Sequence, residues 1–213
     1  MSIHVAPDEL LAEYAAGAAT PGVSLLVAAH LTQVPGSRER VEMLESMGGA
    51  LFADEPPEDM PSDALALTMS MLDMDEEIAD VSERAQPGSP LPSVVTDALG
   101  TDFDNIAWKF QLPGVSAVDL DGFGEENVTL LRAKPGSKVP QHTHEGSELT
   151  LVLQGCLSDG GIEYRKGDIA VNDEHDDHCP HITGDEICYC LVVQQGNLRF
   201  TGRFSRVLNY IGE

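Results

Sequence analysis

Positive charge is what this chain lacks most: 12 lysines and arginines stand against 36 aspartates and glutamates in 213 residues. So negative a surface repels phosphate backbones, which argues against direct nucleic-acid binding and favours a basic protein partner. The imbalance is steepest in residues 1–98, with 18 acids and 3 bases. Long hydrophobic runs are missing too. No stretch reaches the roughly 18 apolar residues of a transmembrane helix, so no membrane contact is expected. Met1-Ser2-Ile3-His4-Val5-Ala6-Pro7-Asp8 has neither the basic start nor the apolar centre of a signal peptide. A cytoplasmic protein with reduced thiols is therefore expected. Its four cysteines, Cys156, Cys179, Cys188 and Cys190, contain no C-x2-C pair. Cys188 and Cys190 share one strand face, but there their Cα atoms stand roughly 6.5–7 Å apart, at the limit for a disulfide.

What is present divides in two. Up to about residue 78 the pattern is helical. Pro7 to Gly17 has acids in its first turn, apolar Leu10, Leu11, Tyr14 and Ala15 on one side, and a glycine stop. A second helix is expected from Pro21 to Thr32, with Pro35-Gly36 breaking it. A third follows with Ser37 as N-cap and Val41, Leu44, Met47 and Leu51 along it. After an acidic, proline-rich connector over 54–62, Ser62-Asp63 caps a fourth helix from Ala64 to about Asp75. Its Leu65, Leu67, Met69, Met71 and Leu72 suit ordinary packing or an adaptable groove for a partner. Residues 79–94 read as a linker, acidic and then rich in Pro, Gly and Ser. From 95 to 213 short strands alternate with Gly, Asn and Asp turns, and Ser158-Asp159-Gly160-Gly161 is a hairpin turn. Seven or eight antiparallel strands in about 115 residues imply a barrel or jelly roll. The fold class is α+β with two domains.

The stretch from Gly136 to Gly155 reads G-x5-H-x-H-x3-E-x6-G. In a strand the side chains at i and i+2 share a face, so His142 and His144 project together, and Glu148 keeps the parity. Two imidazoles and a carboxylate suit a first-row divalent metal. A second stretch, Gly167 to His178, looks like the second cupin motif, G-x5-P-x-G-x2-H, with Asp173 in place of the proline and His175 in place of the glycine. Over about residues 95–210 the chain thus resembles a cupin. That resemblance implies a jelly-roll barrel binding one metal through His142, His144, Glu148 and His178, with His175 an alternative to His178. Zinc leads among the metals, and iron, manganese or nickel would use the same ligands. An enzyme would also need a base beside the metal, for which Glu163, Tyr164 and Asp168 are the candidates.

The order of the two parts adds a second resemblance. His4, then Leu10-Leu11-Ala12-Glu13-Tyr14-Ala15-Ala16-Gly17 and His30-Leu31-Thr32-Gln33, with Glu148 to Gly155 and Cys188-Tyr189-Cys190-Leu191, is similar to the ChrR family of anti-sigma regulators. The resemblance implies helices that sequester an extracytoplasmic-function sigma factor and a cupin that senses an oxidative or small-molecule signal. The zinc anti-sigma class carries H-x3-C-x2-C, whereas here Val34 and Ser37 follow His30. Without thiolates, the helical domain is expected to hold no zinc and to rely on packing. The alternative reading is a metal-dependent, dioxygenase-like cupin enzyme acting on a small carbonyl or phenolic substrate. Sheet edges of a cupin also suit a homodimer.

Overall fold

The computed structural model describes residues 6–53, 55–72 and 88–202. His4 and most of the expected linker lie outside them. The helical part holds α1 (Asp8–Ala15), α2 (Pro21–Gln33), α3 (Pro35–Phe52) and α4 (Ala64–Leu72). α1 and α2 follow the expected spans and α4 starts where expected, its expected end near Asp75 lying outside the described residues, but α3 starts three residues early. Its N-cap is Val34 and Pro35 sits in the first turn, where a fixed φ and a missing N–H do no harm. Ser37 is therefore not a cap, and its hydroxyl is used elsewhere. A further helix, α5 (Ser93–Leu99), was not legible as such. It is seven residues long, buries Val95 and Thr96, and stops at Gly100 with φ +66°.

The remainder is β. Strands β1 (Lys109–Leu112), β2 (Val115–Leu120), β3 (Glu126–Ala133), β5 (Glu148–Gln154), β8 (Ile169–Asn172) and β10 (Cys188–Gln195) form one antiparallel sheet in the order β1-β2-β3-β10-β5-β8. Three more, β6 (Cys156–Asp159), β7 (Ile162–Arg165) and β9 (His181–Thr183), make a second sheet, while β4 (His142–His144) pairs with β11 (Leu198–Phe200). Gly160 and Gly161, both with positive φ, close the β6–β7 hairpin at the expected turn.

β5 and β10 are neighbouring interior strands of the large sheet and are buried on both faces. Odd-numbered residues (Leu149, Leu151, Leu153, Leu191, Val193) join the helices in one apolar cluster with Leu11, Leu26, Val27 and Val95. Even-numbered Val152, Cys188, Cys190 and Val192 face the barrel interior with Leu157 and Ile182. This two-sided burial explains why the strand at 149–153 is apolar throughout rather than alternating. The helical part and the barrel therefore share a core. Gly155, with φ +84°, permits the tight crossing beside β10: a Cβ there would stand 2.8 Å from the Cys188 Cα.

α2 is fastened to the barrel at both ends. At its start it has no side-chain cap of its own, and the Gly22 amide donates to Glu126 Oε2 on β3 at 2.8 Å. The carboxylate satisfies an otherwise open helix N–H and meets the positive end of the helix dipole. At its end, His30 Nδ1 lies 2.8 Å from the carbonyl of Gly167, in the turn that leads into β8.

Candidate metal centre

The short strand β4 sends both His142 and His144 inward because they are two residues apart, and its pairing with β11 holds them at the barrel wall. Glu148 opens β5 on the same face as Thr150 and Val152. His178 arrives from a loop that is bridged to β4 by reciprocal backbone hydrogen bonds with His142, each 3.0 Å. Each of the four offers a ligand atom, and these atoms lie within 4.8 Å of one another. All four residues are buried, at 2–8% exposure. The turn before His178, where Asp173 and His175 depart from the motif, is built from carboxylates instead. Asp173 accepts from the His175 amide at 2.7 Å and Asp176 accepts from the Asp173 amide at 2.9 Å.

The protonation of the set suits a cation. His142 Nδ1 donates to the Pro140 carbonyl at 2.8 Å, which keeps the ring proton on Nδ1 and leaves Nε2 with its lone pair. His178 Nδ1 donates to Asp159 Oδ2 at 2.6 Å, which again frees Nε2. His178 Nε2 is 2.9 Å from His144 Nε2, while the buried His144 Nδ1 has no hydrogen-bond partner among the described residues. Burial, reinforced by the neighbouring His142 and His178, pushes the His144 pKa down to about 4. His144 is thus neutral, and its 3.7 Å approach to Glu148 is not an ion pair. Burial likewise lowers the pKa of His142 and raises that of Glu148. Burial acts downward on His178 also, but the bond and charge of Asp159 outweigh it and the net shift is upward. Three imidazoles and a carboxylate crowded together, with a buried ring nitrogen left over, fit a divalent ion.

The other sequence candidates go elsewhere. His175 is exposed at the surface and does not compete with His178. Glu163 is exposed, paired with Arg165 and accepting from the Cys156 thiol. Asp168 accepts from the Arg165 amide at 2.7 Å. Neither of these nor Tyr164 lines the cavity that opens beside His142 and Glu148. Cys188 and Cys190 are free thiols with sulfurs 3.5 Å apart, as their spacing on one strand requires.

Two functional contacts were missed. Asp159, read as part of a turn, is the carboxylate that orients His178, and no spacing rule links the two. His30, fully buried, bonds Ser37 Oγ through Nε2 at 2.7 Å and Gly167 through Nδ1. Ser37 occupies the last position of the H-x3-C-x2-C pattern, so a hydrogen bond stands where that pattern has a thiolate.

Comparison with known proteins agrees with this layout. A family model described as the ChrR cupin-like domain matches residues 96–198. The chain is 34% identical over 197 residues to the anti-sigma-E factor ChrR of Cereibacter sphaeroides, covering 92% of both sequences. It is also similar to a chain of the crystal structure of Rhodobacter sphaeroides SigE in complex with the anti-sigma ChrR. There the identity is 32% and the TM-score 0.77, over 92% of this chain and 100% of that one.

Proposed function

The chain belongs to the ChrR family of anti-sigma factors with a cupin domain, and on that footing we propose that its helices hold an extracytoplasmic-function sigma factor in the cytoplasm while the barrel carries one regulatory metal. One observation carries the partner reading. α4 buries none of its residues and leaves Leu65, Leu67, Met69, Met71 and Leu72 all more than half exposed. α3 ends the same way, with Met47, Leu51 and Phe52 in solvent. Apolar helix faces of this size are covered by a partner, and methionines adapt to its contour. The acidic surrounding surface selects a basic one.

His142, His144, Glu148 and His178 are the residues that would hold the metal; zinc accepts three nitrogens and one oxygen, as iron, manganese and nickel also do. A divalent ion bound there would supply positive charge and Lewis acidity beside the barrel cavity. The chain itself keeps the three imidazoles neutral or aligned, with Asp159 holding the proton on His178 Nδ1. The catalytic alternative has less support, since none of Glu163, Tyr164 and Asp168 reaches the cavity.

Co-expression with the sigma factor of a neighbouring gene tests the partner. A stable complex is expected, and the double variant Leu65→Asp, Met69→Asp should lose it without a change in melting temperature. Failure to co-purify with any sigma factor, or a variant that binds as well as wild type, rejects the reading. Elemental analysis tests the metal: about one per chain, falling to near zero in His144→Ala.

A further inference from the structure

The barrel encloses a cavity of about 400 Å³ that ends at His142 and Glu148. Its wall is mainly aliphatic, formed by residues such as Val115, Ala117, Leu131, Leu157, Ile182 and Val192. Among the described residues no lysine or arginine lines it. We propose that this cavity binds an aliphatic monocarboxylate, with the chain along the apolar wall and the carboxylate at the four-residue metal centre. The proposal rests on the metal reading above and names the ligand class for that site.

Charge and polarity select this class. A dication with one carboxylate ligand, Glu148, keeps one net positive charge, which a single further carboxylate neutralises. A second acid or a phosphate would lie among valines and leucines with no partner, and an unpaired buried charge is strongly unfavourable. Sugars are disfavoured for a related reason: beyond the metal centre the described lining offers only Gln111, Ser137, Thr150, Gln194 and the weakly polar thiols of Cys188 and Cys190, too few for a ring of hydroxyls. An alkyl chain leaves nothing unsatisfied there. The volume is in the range of small-molecule sites, large enough for a chain of several carbons.

The test is calorimetric titration of the full-length, zinc-loaded protein with butanoate, hexanoate and octanoate, beside succinate and octan-1-ol. Affinity should climb about fourfold per added methylene, or about 250-fold from butanoate to octanoate. Succinate and octan-1-ol should each bind at least about tenfold more weakly than octanoate, and removing the zinc should weaken octanoate by about the same factor. The variant Ala117→Leu, which narrows the cavity away from the metal centre, should weaken octanoate about tenfold and butanoate hardly at all. An affinity independent of chain length, or succinate binding as tightly as octanoate, overturns the proposal. The chain-length series on the unaltered protein decides the matter even if Ala117→Leu fails to fold. Metal content separates the two failures. Retained zinc with a flat series defeats the ligand assignment alone, whereas a protein that takes up no zinc defeats the metal reading and this proposal together.

Discussion

Replacing Ser37 by alanine removes one oxygen from a site with no access to water. Ser37 and His30 are 1% and 0% exposed, and their Oγ and Nε2 lie 2.7 Å apart. Because the Gly167 carbonyl can only accept, His30 Nδ1 carries the ring proton and Nε2 accepts from the serine hydroxyl. Ser37→Ala leaves that nitrogen unpartnered, at about 1–3 kcal/mol. For a chain of this size each kcal/mol lowers the melting temperature by roughly 2–4 °C, so a drop of about 2–12 °C is expected. His30→Ala strips two partners and opens a ring-sized void, for about 2–5 kcal/mol. Urea unfolding of both single variants and the double variant closes a cycle. In the His30→Ala background the serine should contribute less than about 0.5 kcal/mol, since its partner is gone. A Ser37→Ala protein within about 0.5 kcal/mol of wild type, or equal serine effects in both backgrounds, would refute the claim that this pair fastens the α2–α3 corner to the barrel.

Acid should weaken the same corner. Burial, opposed in part by the Gly167 bond, lowers the folded-state pKa of His30 below its ordinary 6.5. Below pH 6.5 the unfolded chain takes up a proton that the folded chain refuses, so this contribution is complete above 6.5 and is lost as pH falls. The stability gap between wild type and His30→Asn should therefore narrow between pH 7.5 and 5, and a constant gap would sink the assignment. Gly167→Ala should destabilise by about 1–3 kcal/mol in thermal unfolding, because φ is +89° and the new Cβ would stand 2.7 Å from Val34 Cγ2. An unaffected variant would mean that this turn is free to move off the helices. Thiol titration of the native protein should find one fast group, the exposed Cys179, with Cys156, Cys188 and Cys190 reacting only after unfolding. Burial raises the Cys156 thiol, and the shared hydrogen bond with Cys188 holds Cys190 well above its ordinary value. More than one fast thiol would contradict the packing of the barrel.

The clustering of His142, His144, Glu148 and His178 was legible in the sequence because they fall at motif spacings over a short stretch of chain. The i, i+2 parity of β4 puts His142 and His144 on one face, and the spacing from Gly167 pointed to His178. Glu148 joins them because β5, a separate strand of the large sheet, begins with that residue turned inward after residues 145–147, not because one strand carries the parity through. Helices α1 to α3 were legible from their apolar spacing and their Pro and Gly punctuation. Contacts between distant segments were not. Asp159 is 19 residues from His178 and Gly167 is 137 from His30, and no local pattern marks either pair. Nor does the composition show that the odd-numbered residues of β5 and β10 pack on helices while the even-numbered ones face the cavity. Ser37 shows the difference most clearly. Local propensity makes a serine after Pro35-Gly36 an N-cap, but the chain crossing of α2, α3 and the Gly167 turn buries it against His30. Period and spacing act within one segment and can be read from one sequence. The second partner of a buried polar group, and the surface a helix covers, exist only once the segments have met.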